Sequence, residues 1–359
     1  MSTLRAEVEA KLRARFGALS DVPLLQPLDA FLDTAGEGFR SRLFVTTGEG
    51  SEELCLRPEF TIPLCLAHDG TQPTSYAYCG DVFRRGREGH AQHVQAGAEM
   101  LGAGPEADVE ALTAALDLLP AEGVKADLVL GDQDLFEALL VALDVTPSLR
   151  PRLLKAFGHP GQLAKLLDRA MEGRELAALS PELQVLARAG NVSALAQELE
   201  ATMRDHGLPL TGGREAQHIA ERLVGLATTF AEPMAARTRA VIDAYLSLSA
   251  SYGQIESTLR AFEAEHGVGF GAVLDRFDGL LRSLDTGLNA RFEAGFGRPL
   301  DYYSGLVFEV RPSAGGAPAI FGGRYDGLLR SLGATDAPAI GFAAALDRLE
   351  ALVGEEGAA

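Results

Sequence analysis

The sequence predicts an α+β fold in which an antiparallel β-sheet is interrupted by a long helical insertion. Two β-hairpin patterns lie before residue 101, and β character returns after residue 290. Between residues 148 and 284 the pattern is almost continuously helical and rich in Ala, Leu, Glu and Arg. We therefore expect a body formed by residues 1–147 and 285–359, with residues 148–284 as a mainly helical insertion.

The composition is typical of a globular chain and restricts its partners. The 359 residues are 47% hydrophobic, which is ample for a sizeable core. The N-terminus is charged and no long apolar run occurs, so we expect no signal peptide, no membrane span and a cytoplasmic location. A net charge of −18 opposes long-range attraction to a phosphate backbone. Cys55, Cys65 and Cys79 lack disulfide or zinc-ligand spacing, so we expect buried reduced thiols and no metal site.

The first predicted element is an amphipathic helix. Apolar residues recur every four positions in a charged segment that ends before Gly17. They are Leu4, Val8, Leu12 and Phe16. This apolar stripe requires burial against another element.

Two hairpins are predicted after this helix. In the first, residues 41–47 and 52–57 flank a turn in which glycines supply the reversal. The second runs from residue 75 to 85 and returns from 90 to 101. Its connection, Gly86–Gly89, is short, which predicts an antiparallel pair.

On either side of the insertion the pattern alternates between helix and strand. Pro105 is well placed to open the first of these helices. The predicted elements are a helix at 105–119, a strand at 125–130, a helix at 134–143, strands at 291–296 and 300–310, and helices at 325–332 and 341–353.

The most specific motifs lie in the last quarter of the chain. Gly297–Glu309, Phe321–Leu328 and Ile340–Leu349 resemble the histidine-recognition segments and motif 3 of histidyl-tRNA synthetase. Leu24–Leu28 is similar to motif 1 of that family, and Gly80–Glu99 is similar to motif 2. The resemblance implies a class II aminoacyl-tRNA synthetase-like fold, an antiparallel sheet with flanking helices that carries the ligand.

Glu59 and Thr61 are candidate contacts for an amino group. The segment Leu56–Thr61 resembles one in which the family holds the α-amino group of histidine with a glutamate and a threonine. A carboxylate suits an ammonium because charge-assisted hydrogen bonds are about twice as strong as neutral ones. The alternation of the two residues predicts that both point to one face of a strand. Taken alone, Glu59 also fits a strand end with a solvated carboxylate.

The motif-2 hairpin contributes three further candidates. By resemblance, Arg84 approaches the carboxylate of the ligand, while Gln95 and Glu99 line the histidine pocket. An even number of residues separates Gln95 from Glu99, so a strand places both on one face. A buried glutamate that faces an imidazole fixes its orientation and tautomer.

The C-terminal motifs add an arginine and an aromatic pair. By resemblance, Arg298 also lies beside the ligand carboxylate, and Tyr302 and Tyr303 contact the ligand. Arg348 matches the motif-3 arginine that holds the far phosphate of ATP in the synthetases, so it is a candidate vestigial phosphate-binding residue. The pair Gly322-Gly323 fits a close backbone approach beneath the pocket.

The motif-2 loop departs from a synthetase. Gly86 stands where the family has a glutamate that reads adenine, and Gly89 and Ala91 replace arginines near the triphosphate and the tRNA acceptor end. Adenylation needs preorganised positive charge around the phosphates. We therefore expect no catalytic residue and no cofactor in this chain.

A synthetase body with these losses, and with no anticodon-binding domain, is similar to the regulatory subunits of ATP phosphoribosyltransferase. That resemblance implies a non-catalytic regulatory subunit of a glycosyltransferase complex in the first step of L-histidine biosynthesis. It implies partnership with a short-form catalytic subunit, as a hetero-octamer of four plus four chains built on a homodimer. It further implies feedback control by L-histidine and no binding of tRNA.

Two other functions fit the same residues. Arg84, Arg298 and Arg348 together are also compatible with a truncated, amino-acid-adenylating enzyme that orients a triphosphate. A free-standing histidine sensor with another target is the third interpretation. The sequence leaves open whether regulatory histidine binds this pocket or the subunit interface, and whether residual ATP binding exists.

Overall fold

The computed structural model describes residues 3–352, with gaps at 36, 87–90, 122, 174–175, 177–178, 206–214, 285–286 and 299–301. The chain divides into two compact units. The first comprises Met1–Ala138 and Leu246–Ala359, and the second comprises Leu139–Tyr245.

The strands belong to the first unit. In chain order they are β1 (Leu25–Pro27), β2 (Val45–Thr47), β3 (Glu53–Leu56), β4 (Thr74–Phe83), β5 (Gln92–Leu101), β6 (Ala126–Asp132), β7 (Ser249–Ser251), β8 (Asn289–Glu293), β9 (Leu306–Pro312), β10 (Ile320–Arg324) and β11 (Ala339–Ala345).

Helices occur in both units, and none in the described part of the chain has the length and hydropathy that a membrane crossing requires. In chain order they are α1 (Thr3–Phe16), α2 (Leu28–Ala35), α3 (Glu37–Arg40), α4 (Thr61–Ala67), α5 (Ala107–Asp117), α6 (Gln133–Ala142), α7 (Arg150–Ala156), α8 (Pro160–Glu172), α9 (Pro181–Arg188), α10 (Val192–Asp205), α11 (Ala216–Thr229), α12 (Ala236–Leu246), α13 (Ile255–His266), α14 (Ala272–Ser283), α15 (Leu328–Ser331) and α16 (Leu346–Ala351).

Most strands join one large sheet. Its order is β4-β5-β11-β10-β9-β6-β8-β7, and every neighbouring pair is antiparallel except β6–β8. The remaining strands form a small antiparallel sheet of order β1-β3-β2. Both predicted hairpins are confirmed, as β2–β3 and β4–β5. The N-terminal helix is also confirmed, with Val8 and Leu12 fully buried.

One predicted helix is partly wrong. The segment from Gly341 to Ala345 is the second half of β11, and only the residues after it form a helix, α16. β11 pairs with β5 on one side and β10 on the other, and its residues are buried from Ala339 to Ala344. A short, continuously buried apolar run has no periodicity that separates strand from helix, so tertiary pairing decides its structure.

The compact units divide differently from the predicted domains. The second unit ends at Tyr245, whereas the predicted insertion extended to residue 284. Helices α13 and α14 lie in the first unit, where the ring of Phe277 on α14 lies 5.4 Å from that of Phe292 on β8. A helical pattern shows that one face needs burial, but it does not show which core receives that face.

The second unit is a helical bundle. In its described part, α9, α10 and α11 enclose a core in which Leu195 and Ala220 are fully buried.

The three cysteines of the first unit are free, as predicted. Cys55 and Cys65 are buried, as predicted, whereas the prediction of burial is wrong for Cys79, which is half-buried.

Candidate functional site

One cavity in the first unit collects the predicted ligand-binding residues. All eight of them line it, namely Glu59, Thr61, Arg84, Gln95, Glu99, Arg298, Tyr302 and Tyr303. The other lining residues are Phe321, Gly322, Tyr325, Gly341, Phe342 and Ala343. The residues come from segments far apart in the sequence, so the large sheet is what brings them together.

Close packing of β10 against β11 forms the floor of the cavity. A Cβ atom at Gly322 would lie 2.5 Å from the carbonyl oxygen of Gly341, which no real side chain tolerates. At Gly323, where φ is +157°, a Cβ atom would lie 2.4 Å from the carbonyl oxygen of Leu306 on β9 and 3.1 Å from the Tyr303 ring. The structure therefore agrees with the prediction of a close backbone approach at this glycine pair.

Glu99 is the centre of a hydrogen-bond network. Its carboxylate accepts from the Thr61 hydroxyl at 2.6 Å, from the Tyr78 hydroxyl at 3.4 Å and, in a short contact, from the Tyr325 hydroxyl. Burial raises the pKa of Glu99 to about 8, although these hydrogen bonds lower it. The raised pKa favours the protonated form of Glu99 near neutral pH.

Glu59 lies in the connection between β3 and α4, so the prediction that it shares a strand face with Thr61 is wrong. Pro58 has no N–H to continue a ladder, and the chain turns into α4. The Glu59 carboxylate accepts from the backbone N–H groups of Thr61 at 2.7 Å and Ile62 at 3.0 Å. Burial raises the pKa of Glu59, against the effect of these bonds and of the Arg84 charge. Glu59 thus both orders the start of α4 and lines the cavity.

Arg84 enters the cavity from the end of β4. Its Nε donates to the carbonyl oxygen of Pro58 at 2.7 Å, which ties the guanidinium to the Glu59 segment. Desolvation lowers the pKa of Arg84, and the Glu59 charge opposes that change. Arginine remains charged at neutral pH even when its pKa falls. A cation and an acidic group therefore occupy neighbouring parts of the wall.

Gln95 and Glu99 share one face of β5, as predicted, because both line the cavity. The Oε1 atom of Gln95 is buried and has no hydrogen-bond partner among the described residues. Buried polar atoms are almost always hydrogen-bonded. A ligand that donates a hydrogen bond would satisfy this acceptor.

Arg298 also lines the cavity. It pairs with Glu309, and its guanidinium carbon lies 4.3 Å from the centroid of the Phe321 ring. The Tyr303 ring lies farther away, at 6.0 Å. The Nε atom of Arg298 is buried without a partner among the described residues.

Tyrosine rings form an aromatic wall, and one of them was missed from the sequence. The ring centroid of Tyr302 lies 5.0 Å from that of Tyr303 and 5.8 Å from that of Tyr325. Tyr325 is 2% exposed and donates to Glu99. It belongs to the motif Phe321–Leu328 that carries the resemblance, and this was the signal available for finding it.

Arg348 is not brought into the cavity. It lies on α16, where Nη1 donates to the carbonyl oxygen of Pro318 at 3.0 Å. Gly86 and Ala91 are exposed at the two ends of the motif-2 loop, and Gly89 lies outside the described residues. Gly86 and Ala91 therefore bring no charged side chain to this loop.

A metal centre is not evident among the residues that the structure describes. No group of three or more His, Cys, Asp or Glu side chains there is arranged to hold an ion. The cavity is thus a small polar pocket with aromatic and cationic walls.

Comparison with known proteins places these features in a family. Residues 19–209 and 214–349 match the family model described as histidyl-tRNA synthetase. Two curated relatives, the ATP phosphoribosyltransferase regulatory subunits of Brucella ovis and Brucella abortus, are each 39% identical over 363 residues, covering 97% of this chain and 96% of theirs.

Solved structures show the same fold. A Bacillus halodurans protein titled ATP phosphoribosyltransferase regulatory subunit/histidyl-tRNA synthetase superposes with a TM-score of 0.62 at 19% identity, covering 98% of this chain and 79% of that one. A histidine–tRNA ligase subunit from Alicyclobacillus acidocaldarius gives a TM-score of 0.53 at 25% identity, covering 97% and 92%. The fold is therefore the class II synthetase-like fold that the motifs predicted.

Proposed function

Because the chain belongs to the histidyl-tRNA synthetase-like family of ATP phosphoribosyltransferase regulatory subunits, we propose that it is the regulatory partner in the first step of L-histidine biosynthesis. The observation that carries this proposal is the convergence of all eight predicted histidine contacts on one cavity. In this account the chain binds L-histidine and performs no chemistry itself.

The charges of the cavity suit the groups of L-histidine. Arg84 and Arg298 supply guanidiniums for the α-carboxylate, and Glu59 supplies a carboxylate for the α-ammonium. The unpaired Oε1 of Gln95 offers an acceptor for one imidazole nitrogen, and Glu99, whose pKa is raised by burial, offers a donor to the other when it is protonated. The tyrosine rings give the apolar surface against which an imidazole packs.

The residues at the predicted ATP-binding positions argue against adenylation. Arg348 lies outside the cavity, and Gly86 and Ala91 bring no positive charge to the motif-2 loop. Transition-state charge on a transferring phosphate needs preorganised cations, which these positions do not supply. We therefore assign the transferase chemistry to a short-form catalytic subunit, and we propose a cytoplasmic complex of four regulatory and four catalytic chains that binds no tRNA.

A homodimer is part of this proposal. The small sheet exposes apolar side chains at its edge strands, where Leu24 is 50% exposed, Leu25 49% and Val45 41%. Leu25 lies on β1 and Val45 on β2, and Leu24 directly precedes β1. Exposed apolar side chains on one small sheet favour burial against another chain. The motif-1-like segment thus supports a dimer contact.

Feedback follows if occupancy of the cavity changes the relative stability of two assembly states. A ligand shifts such an equilibrium only by its differential affinity for the two states. Histidine bound here would therefore regulate the partner without entering its active site.

Titration calorimetry on the isolated protein tests the binding claim. We expect saturable L-histidine binding and a higher melting temperature, with about 2.7 kcal/mol of stabilisation at about a hundred times the dissociation constant. An absent melting shift at millimolar histidine would reject the intact pocket. Histidine-dependent pyrophosphate exchange by the pure protein would instead favour the adenylating enzyme.

A further inference from the structure

Glu309 joins two arginines beside the cavity. It lies on β9 and is only 7% exposed. Its Oε1 pairs with Nη1 of Arg298, and its Oε2 accepts from Nε of Arg311 at 2.6 Å. Arg298 lines the cavity, whereas Glu309 and Arg311 lie outside its lining.

The orientation of Arg298 is set by two neighbouring strands. Glu309 on β9 is directly opposite Phe321 on β10 in the antiparallel register. The guanidinium therefore has a charged contact at Nη1 and an aromatic ring 4.3 Å from its carbon. Its Nε keeps no partner among the described residues.

This arrangement leaves Arg298 able to bind a carboxylate. A guanidinium presents its N–H groups as a rigid fork, so an arginine held at Nη1 still offers the Nε side for a two-point contact. A buried N–H without an acceptor is costly, and an acceptor oxygen from a ligand would remove that cost.

The net charge of the cluster formed by Arg298, Glu309 and Arg311 also favours carboxylate binding. Arg298 and Arg311 carry two positive charges, and Glu309 carries the one negative charge that pairs with both. Arg298 and Glu309 are largely buried and Arg311 is half-buried, so the cluster carries one net positive charge beside the cavity. Removing one member of such a cluster leaves the others uncompensated, so the position of each depends on the rest.

We propose that Glu309 is a positioning residue that holds Arg298 so that the cavity selects ligands with a free α-carboxylate. It acts through Arg298 and does not contact the ligand. The inference rests on the proposed function, since it takes L-histidine as the ligand of the cavity.

Calorimetry with L-histidine and L-histidinamide, which lacks the carboxylate charge, tests this role in the full chain. Glu309→Met removes the acceptor, and Glu309→Asp keeps the charge but shortens the reach. Glu293→Met is the matched control, because Glu293 pairs with Arg291 at 2.7 Å on β8, away from the cavity.

We expect the unchanged protein to prefer histidine over histidinamide by at least about tenfold, the value of one charge-assisted hydrogen bond. Both Glu309 variants should lose most of this preference, through weaker binding of histidine, while their histidinamide affinity stays within about twofold. The control should keep the full preference. Melting temperatures of all variants report folding.

Two results would overturn the inference about Glu309 and leave the proposed function standing. Retention of the full preference by Glu309→Asp would show that the charge of residue 309 matters and its position does not. This variant decides the question even where Glu309→Met does not fold. Equal binding of both ligands by the unchanged protein would show that the cavity does not select a carboxylate. Binding of neither ligand would remove the proposed function as well.

Discussion

Gly341 lies directly opposite Glu99 in the β5–β11 pair, and a Cβ atom at Gly341 would overlap Oε2 of the Glu99 carboxylate. The buried Glu99 carboxylate therefore occupies space that the side chain of any residue other than glycine at position 341 would fill. The position of the Glu99 carboxylate therefore requires glycine at residue 341.

Gly341→Ala should displace Glu99 and weaken L-histidine binding by at least about tenfold, with a stability loss of about 1–3 kcal/mol from overpacking. Calorimetry and urea unfolding measure the two effects. Gly279→Ala is the control, because no atom lies within 4 Å of the added carbon on α14. That control should bind normally and gain about 0.4–1 kcal/mol. Normal binding by Gly341→Ala would mean that the Glu99 network is not needed for the ligand.

The raised pKa of Glu99 makes the stability of the ligand-free protein depend on pH. The folded pKa of about 8 lies above the ordinary value of 4.5, so the folded chain keeps a proton that the unfolded chain releases. The resulting stabilisation is complete below pH 4.5 and is lost as pH rises through 8. Its slope approaches about 1.4 kcal/mol per pH unit between these values.

Glu99→Gln removes this contribution. The difference in unfolding free energy between the unchanged protein and the variant, measured in urea at several pH values, should therefore fall as pH rises. Buried groups that do not interact with Glu99, such as Asp132, cancel in the difference, whereas the charge of Glu59 interacts with Glu99 and does not cancel fully. A flat difference across this range would show that Glu99 is ionised in the folded state.

Arg84 and Arg348 should differ in their effect on ligand binding. Arg84→Met removes a cation from the cavity wall and should cost about 1.5–3 kcal/mol of histidine affinity. Arg348→Met breaks only a contact with the Pro318 carbonyl and should leave affinity within about twofold. Calorimetry on both variants decides this, with melting curves as the folding check. Equal losses would place Arg348 in the ligand site.

Leu25→Glu tests the proposed homodimer. A charge in a buried apolar contact is expensive, so the variant should elute as a monomer in size-exclusion chromatography with light scattering. Val185→Glu is the matched control, since Val185 is 66% exposed on α9 in the helical unit. A dimeric Leu25→Glu protein, or a monomeric unchanged protein, would contradict a contact through the small sheet.

Local patterns predicted part of the fold well. Alternation and turn glycines predicted the β2–β3 and β4–β5 hairpins, because both signals are encoded within the pairing segments. The strand Ala339–Ala345 was not predicted past Gly341, since its conformation depends on pairing with β5 and β10. The assignment of α13 and α14 to the first unit likewise depends on tertiary packing.

The site shows the same division. The resemblance to the histidyl-tRNA synthetase motifs predicted residues that line one cavity, including Glu59 and Glu99, although they lie forty residues apart along the chain. Strand alternation did not predict that Glu59 lies in the connection before α4, because alternation alone cannot report where Pro58 ends a strand. Tyr325 lies in the motif Phe321–Leu328, but its hydrogen bond to Glu99 joins two distant segments and is visible only in the structure.

The most direct test of the regulatory function is phosphoribosyl-ATP formation by a mixture of this protein and the cognate short-form catalytic subunit. We expect no activity from this chain alone, a large rise in the partner's activity when the two are mixed, and inhibition of the mixture by L-histidine. Activity of the catalytic subunit that is the same with and without this chain, together with insensitivity to histidine, would contradict the account.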